Sequence, residues 1–194
     1  MKNKPYRYVI CDPDVRNAAY AIVGSRGQYI DSWVIKAKDL EESARIHATE
    51  PPMEIVGESL DDYNYILVVE SQQFYQGDSP KLVKSLLQLG RACGISMAYL
   101  ARMFPSHEKL ELILPRVWTR GRPKLINQYH AIKNQGWPPV KSQSVKSYHY
   151  AQELKKKHKM TEQKHVMDAI AIGMFYAEQH QKQLRLKNFR KSMK

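Results

Sequence analysis

The chain has 194 residues, of which 43% are hydrophobic, and this suits one α/β domain with a core of ordinary size. Its formal net charge of +12 favours a polyanionic partner, with nucleic acid first and an anionic membrane surface as the rival. The sequence shows no signal peptide and no apolar run of the roughly 20 residues that span a bilayer, so we expect a soluble protein inside the cell, with no membrane partner.

Three strands are predicted at the start of the chain. Residues 6–11, 18–23 and 29–35 are rich in β-branched and aromatic side chains, and GSRG at 24–27 forms a turn that favours antiparallel pairing. A helix is predicted from about Asp39, ending at the two prolines 51 and 52 and resuming over MEIVGESLDDY. YILVVE at 65–70 then reads as a fully buried strand, because it is apolar without alternation.

Helices dominate the rest of the chain. Ser79 and Pro80 are an N-cap and first-turn pair that predicts a helix from Pro80 to about Met103. The later predicted elements, in order, are a buried strand at 110–115, short helices at about 125–133 and 142–157, and a last helix at about 162–180. We therefore predict a single α/β domain with a mixed sheet over residues 1–180, followed by a basic, flexible tail over 181–194.

Three acids occupy positions where the pattern expects apolar residues. Asp12 ends the first strand in YVICDPD, Glu70 ends ILVVE, and Asp168 lies in the apolar helix HVMDAIAIG, three residues after His165. Each acid alone could be a strand-end residue that is solvated at a sheet edge or bonded to loop amides. If the first and fourth strands are neighbours, however, the acids and His165 converge on one point. Such hard ligands suit Mg²⁺ or Mn²⁺, and two ions about 4 Å apart can promote phosphodiester hydrolysis.

Five segments resemble, in order, the motifs of RuvC-type Holliday-junction resolvases: CDPDVRNAAYAIV, VVESQQFY, LLQLGRACGI, LPRVWTRGRPK and HVMDAIAIG. The resemblance implies an RNase H-like fold and a homodimeric endonuclease that nicks four-way DNA junctions during recombination and repair. It also implies that Asp12, Glu70, His165 and Asp168 hold the Mg²⁺ or Mn²⁺ ions. A cytoplasmic location follows, in a bacterium or, for a phage-encoded protein, in its host.

Two departures from the family pattern stand out. Asp14 replaces the usual glycine after the first strand, so it either adds a metal ligand or is a surface turn residue. The stretch from Pro105 to Ser142 matches only loosely, which affects the substrate side more than the metal site.

Basic residues follow the fifth strand. Arg116, Arg120, Arg122 and Lys124 are predicted DNA contacts, and Lys124 or Arg122 is the candidate cation that offsets charge on the scissile phosphate. Phe74 and Tyr75 follow Glu70, where an exposed ring could stack on an unpaired base at a junction centre. The alternatives are a solvated basic loop and aromatic packing on the sheet edge.

Other functions stay open on the sequence alone. The same fold could cut flaps, single-stranded DNA or an RNA/DNA hybrid, or the acids could be structural in a non-catalytic nucleic-acid-binding module. Nucleotide-binding proteins of the actin and sugar-kinase type also begin with a strand ending in Asp. They carry a Gly-rich phosphate loop, which the segment DPDVRN lacks.

Overall fold

A five-stranded mixed sheet organises the chain. The computed structural model describes residues 4–51, 59–71, 80–137, 154 and 157–192. The strands are β1 (Tyr6–Asp12), β2 (Asn17–Gly24), β3 (Tyr29–Lys36), β4 (Asn64–Glu70) and β5 (Lys109–Ile113), in the spatial order β3-β2-β1-β4-β5. The first three strands pair antiparallel, whereas β4 runs parallel to both β1 and β5. The central strands β1 and β4 are nearly continuous apolar runs because both of their faces are covered.

Helices cover the two faces of the sheet. One face packs against α1 (Leu40–Thr49) and α2 (Pro80–Met103), in a core that includes Val9, Leu67 and Leu100. The other face packs against α3 (Pro115–Thr119), α4 (Lys124–Asn134) and α5 (Met160–Ser192), around Ile10 and Ile170. A short 3₁₀ turn, Leu60–Asp62, precedes β4. None of the helices in the described part of the chain is long and apolar enough to cross a membrane.

Helix α5 lies close against the centre of the sheet because of a glycine. A Cβ added at Gly173 would lie 2.6 Å from Val23 Cγ2 and 3.1 Å from Ile10 Cγ1. The absence of a side chain at this position therefore sets the distance between α5 and strands β1 and β2, and with it the height at which the polar residues at the start of α5 meet the strand ends.

The predicted strands are confirmed, as are the helix from Pro80 to Met103 and the short helix around residues 125–133. One boundary is wrong and one short helix was missed. Helix α5 continues past His180 to Ser192, so the basic segment expected as a tail is helical, and the five-residue helix α3 follows β5 where no element was predicted. Most of the predicted helix at about 142–157 and most of the stretch resuming after Pro52 lie outside the described residues.

Candidate active site

The carboxyl ends of β1 and β4 place two acids side by side. The strands are parallel and Cys11 is in register with Val69, so Asp12 and Glu70, the next residues, leave the sheet at the same edge. Pro13 has no N–H to continue the ladder, and Asp14 accepts hydrogen bonds from the backbone N–H groups of Arg16 and Asn17 in the following turn. Asp14 is therefore engaged as a turn residue, while Asp12 and Glu70 are 6% and 1% exposed.

Helix α5 brings the third acid and the imidazole to this edge. Asp168 is 2% exposed, and it lies in the apolar stretch of α5 that packs on the sheet. His165, three residues earlier, is partly exposed, and its Nδ1 lies 2.7 Å from Asp12 Oδ2. The fold brings Asp12, Glu70, His165 and Asp168 to one end of the sheet, and their role as metal ligands stays a prediction.

Lys124, the first residue of α4, joins two of these acids. Its Nζ lies 3.2 Å from a carboxylate oxygen of Glu70 and 3.3 Å from Asp168 Oδ2. Two neutral donors hold the same carboxylates in place. Trp118 Nε1 donates to Glu70 Oε1 at 2.8 Å, and Gln128 Nε2 donates to Asp168 Oδ1 at 2.6 Å. Helices α3 and α4 therefore fix the orientation of Glu70 and Asp168.

Burial opposes the ionisation of the acids in this cluster. Desolvation, and then the charge of Asp12, raises the pKa of Glu70 to about 7. Desolvation also raises the pKa of Asp168, although Lys124 opposes the shift. The carboxylates in turn raise the pKa of Lys124 against its own burial, and the hydrogen bond with Asp12 raises the pKa of His165. Three acids share one ammonium group and one imidazole, so the site favours a further cation.

The donor chemistry fits a hard divalent cation, because three carboxylates and an imidazole are ligands that Mg²⁺ and Mn²⁺ accept. Within the described ranges, no three His, Cys, Asp or Glu side chains are already grouped closely enough to hold an ion. The contacts explain this spacing, since Lys124 is inserted between Glu70 and Asp168 while Asp12 faces His165. Metal binding at this cluster would require the ammonium group of Lys124 to move away from Glu70 and Asp168. The lysine side chain is 39% exposed, so it can move toward solvent.

The fold has a counterpart among solved structures. Over 90% of this chain and 96% of the other, the structure resembles T. thermophilus RuvC in complex with a Holliday junction substrate, with a TM-score of 0.52 and 15% sequence identity. The chain has an RNase H-like fold. No protein-family model matches the sequence, and no curated protein matches it either, so the likeness rests on the three-dimensional arrangement. The fold expected from the motif resemblance is confirmed.

The predicted DNA contacts of this RNase H-like fold are not all placed alike. Lys124 belongs to the carboxylate cluster, whereas Arg120 and Arg122 line a cleft beside α5 and Arg116 is exposed on α3. Phe74 and Tyr75 lie outside the described residues. The roles of all these residues in DNA binding stay predictions.

Trp118 and Gln128 are the site residues that sequence reasoning missed. Trp118 is buried, as a core tryptophan would be, but its indole N–H donates to Glu70. Gln128 is completely buried on α4, where a polar residue needs a partner. A glutamine on the apolar side of a predicted helix was the available signal, although it does not identify Asp168 as its partner.

Proposed function

We propose that the chain is a divalent-metal-dependent endonuclease that cuts branched DNA, with four-way junctions as its main substrate. The observation that carries the proposal is the buried cluster of Asp12, Glu70 and Asp168 at the carboxyl ends of β1 and β4, where three carboxyl groups share one ammonium group and one imidazole. The net charge of +12 supports a nucleic-acid substrate. The likeness to a RuvC structure with a Holliday junction supports the choice of junction.

The residues have distinct roles in this proposal. Asp12, Glu70 and Asp168 bind Mg²⁺ or Mn²⁺, and His165 supplies a fourth ligand through Nε2 because its Nδ1 contacts Asp12. A bound pair of such cations supplies the activation of water and the charge that stabilises the leaving oxygen. Trp118 and Gln128 keep the carboxylates of Glu70 and Asp168 oriented. The ammonium group of Lys124 offsets negative charge that develops on the scissile phosphate.

The first test is cleavage of a labelled four-way junction beside a linear duplex and a flap of the same sequence, with Mg²⁺, Mn²⁺ or EDTA. We expect metal-dependent paired nicks near the crossover and little cutting of the duplex. Preferential cutting of the flap would assign the site to another branched substrate. Tight binding without cutting in either metal would show that the chain is a binding module and would exclude the proposed nuclease activity.

Substitutions test the ligand set within the same assay. Asp12→Asn, Glu70→Gln and Asp168→Asn should each abolish cutting and leave junction binding intact or tighter, because each removes negative charge near the phosphates. Glu41→Gln is the matched control, since Glu41 is an exposed acid on α1 on the opposite face of the sheet. A variant that cuts at the parent rate would exclude its residue as a ligand.

Two further expectations belong to this proposal. A homodimer would allow two such sites to nick a junction symmetrically, and sedimentation equilibrium with and without junction DNA measures that assembly. A cytoplasmic location agrees with a DNA substrate, and fractionation of the producing cells tests it.

A further inference from the structure

A basic cleft lies beside α5, along the part of the helix that follows Asp168. It has a volume of about 440 Å³, and four arginines line it: Arg26, Arg120, Arg122 and Arg185. Glu178 is the one acid among its described lining residues, which include none of the carboxylates of the candidate active site. The cleft begins near Trp118, which contacts Glu70. It reaches the β2–β3 turn, which lies at the other end of the strands from Asp12.

The acid in the cleft is already neutralised. Glu178 Oε2 lies 2.8 Å from Arg120 Nη2, and Glu178 Oε1 lies 2.7 Å from Lys182 Nζ. Within the described part of the chain, Arg26, Arg122 and Arg185 have no ion pair. The cleft therefore has three arginine charges to offer to an anion that comes from outside.

The backbone directs Arg120 into the cleft. Arg120 has φ 53° and is followed by Gly121 at φ 72°, so two consecutive left-handed residues turn the chain after α3. A left-handed arginine is uncommon and has to be held by its surroundings. Here the guanidinium lies 5.2 Å from the centre of the Phe175 ring and pairs with Glu178, and these contacts fix its direction.

Two glutamines fix the opposite wall. Gln135, just after α4, accepts from the backbone N–H of Tyr29 and donates to the carbonyl of Gly27 at 2.7 Å. Gln181 on α5 donates to the carbonyl of Ser25 at 3.1 Å. The β2–β3 turn that carries Arg26 is thus tied to both α4 and α5. A cleft whose walls are connected in this way holds its cations in place before an anion arrives.

We propose that this cleft binds the phosphate backbone of a duplex arm of the substrate, away from the position of the cut. The inference rests on the proposed function, which places the cut at Asp168. From Asp168 to Arg185 the helix rises about 25 Å, which is the length of about seven base pairs. Guanidinium groups match phosphate oxygens in geometry and charge, and four of them line this one cleft.

The test measures binding to junctions whose arms are long or short. The protein carries Asp168→Asn so that it does not cut, and fluorescence anisotropy of labelled junctions gives the Kd. One junction has arms of about fourteen base pairs and the other has arms of about five, so that the shorter arm ends before Arg185. We expect Arg26→Ala/Arg185→Ala to weaken binding of the long-arm junction at least tenfold. The slope of the logarithm of the binding constant against the logarithm of the salt concentration should fall in magnitude by about two, because two phosphate contacts are lost. Short-arm binding should change less than threefold.

The matched control is Lys38→Ala/Arg45→Ala, which removes two exposed cations on the α1 side of the sheet. Unchanged long-arm affinity of the cleft variant overturns the inference alone, provided that the parent binds junctions. An equal loss in the control variant also overturns it, because the effect would then be one of total charge. If the parent binds neither junction nor duplex DNA, the proposed function fails and the inference fails with it.

Discussion

Glu70 makes the stability of the metal-free protein depend on pH. Burial and the charge of Asp12 raise its pKa from 4.5 to about 7. Between these two values the folded protein retains a proton that the unfolded chain releases, so stability is lost as the pH rises through this window. Glu70→Gln removes the titration. The free energy of unfolding of this variant relative to the parent should therefore rise between about pH 4.5 and 7, by on the order of 3 kcal/mol, and then level off.

Urea unfolding in EDTA at a series of pH values measures this difference. Glu41→Gln, which changes an exposed acid on α1, should track the parent at every pH. A Glu70→Gln curve parallel to that of the parent would mean that Glu70 is ionised throughout and that another cation already balances it.

Lys124 is expected to compete with metal. Its ammonium group contacts Glu70 and Asp168, so Lys124→Ala leaves two buried carboxylates without their cation. In EDTA the variant should lose about 1–3 kcal/mol of stability, less than a fully buried pair because the lysine is 39% exposed. Mn²⁺ should then raise its melting temperature more than that of the parent, because the ion no longer has to displace the lysine.

Thermal melts with increasing Mn²⁺ measure this competition without reference to activity. Lys133→Ala removes an exposed lysine near the end of the same helix and should respond to Mn²⁺ as the parent does. An equal rise in melting temperature with Mn²⁺ in the Lys124→Ala variant and the parent would show that the ammonium group and the ion do not compete for the same position.

At the scale of elements, the contact between α5 and the sheet controls the position of Asp168. Gly173→Ala would place a methyl group 2.6 Å from Val23 Cγ2, and Val23 is fully buried in the core. The substitution should cost about 1–3 kcal/mol of unfolding free energy. It should also lower cleavage, because Asp168 lies about one turn earlier on the displaced helix.

Gly94→Ala is the control for this substitution, since among the described residues no atom beyond the local helix backbone and the two chain neighbours lies within 4 Å of a Cβ built at Gly94 in α2. There the better helix propensity of alanine should stabilise the protein by about 0.5–1 kcal/mol. Chemical denaturation measures both variants. A neutral Gly173→Ala would mean that α5 can shift without loss, and the close approach would then not determine the site.

The elements that form the site were largely predictable, but the contacts between them were not. Asp12 and Glu70 could be paired because each ends a buried strand, and parallel strands end at the same edge. The end of α5 was missed because residues 181–192 are basic, yet they include neither glycine nor proline to end a helix. The pairing of Gln128 with Asp168 joins distant segments, and hydrophobic periodicity carries no information about such a pair.

For the whole molecule, a single sheet is shared by two cores. Trp33 stacks on Tyr20 at 5.0 Å on the side of α1 and α2, whereas Trp118 and Trp137 belong to the side of α5. Every central strand contributes to both sides, so loss of either core removes the support of the other. The predicted single domain should therefore unfold in one cooperative transition.

Fluorescence of two variants tests this cooperativity. In Trp33→Phe the remaining indoles report the α5 side, and in Trp118→Phe/Trp137→Phe the remaining indole reports the α1 and α2 side. Within each variant, the urea midpoint from fluorescence should equal the midpoint from far-ultraviolet circular dichroism. Both midpoints of Trp118→Phe/Trp137→Phe should be lower than those of the parent, because this variant loses the Trp118 hydrogen bond to Glu70. Separate midpoints within one variant would mean that the two sides unfold independently, and Asp168 on α5 could then leave the strand ends while the sheet stays folded.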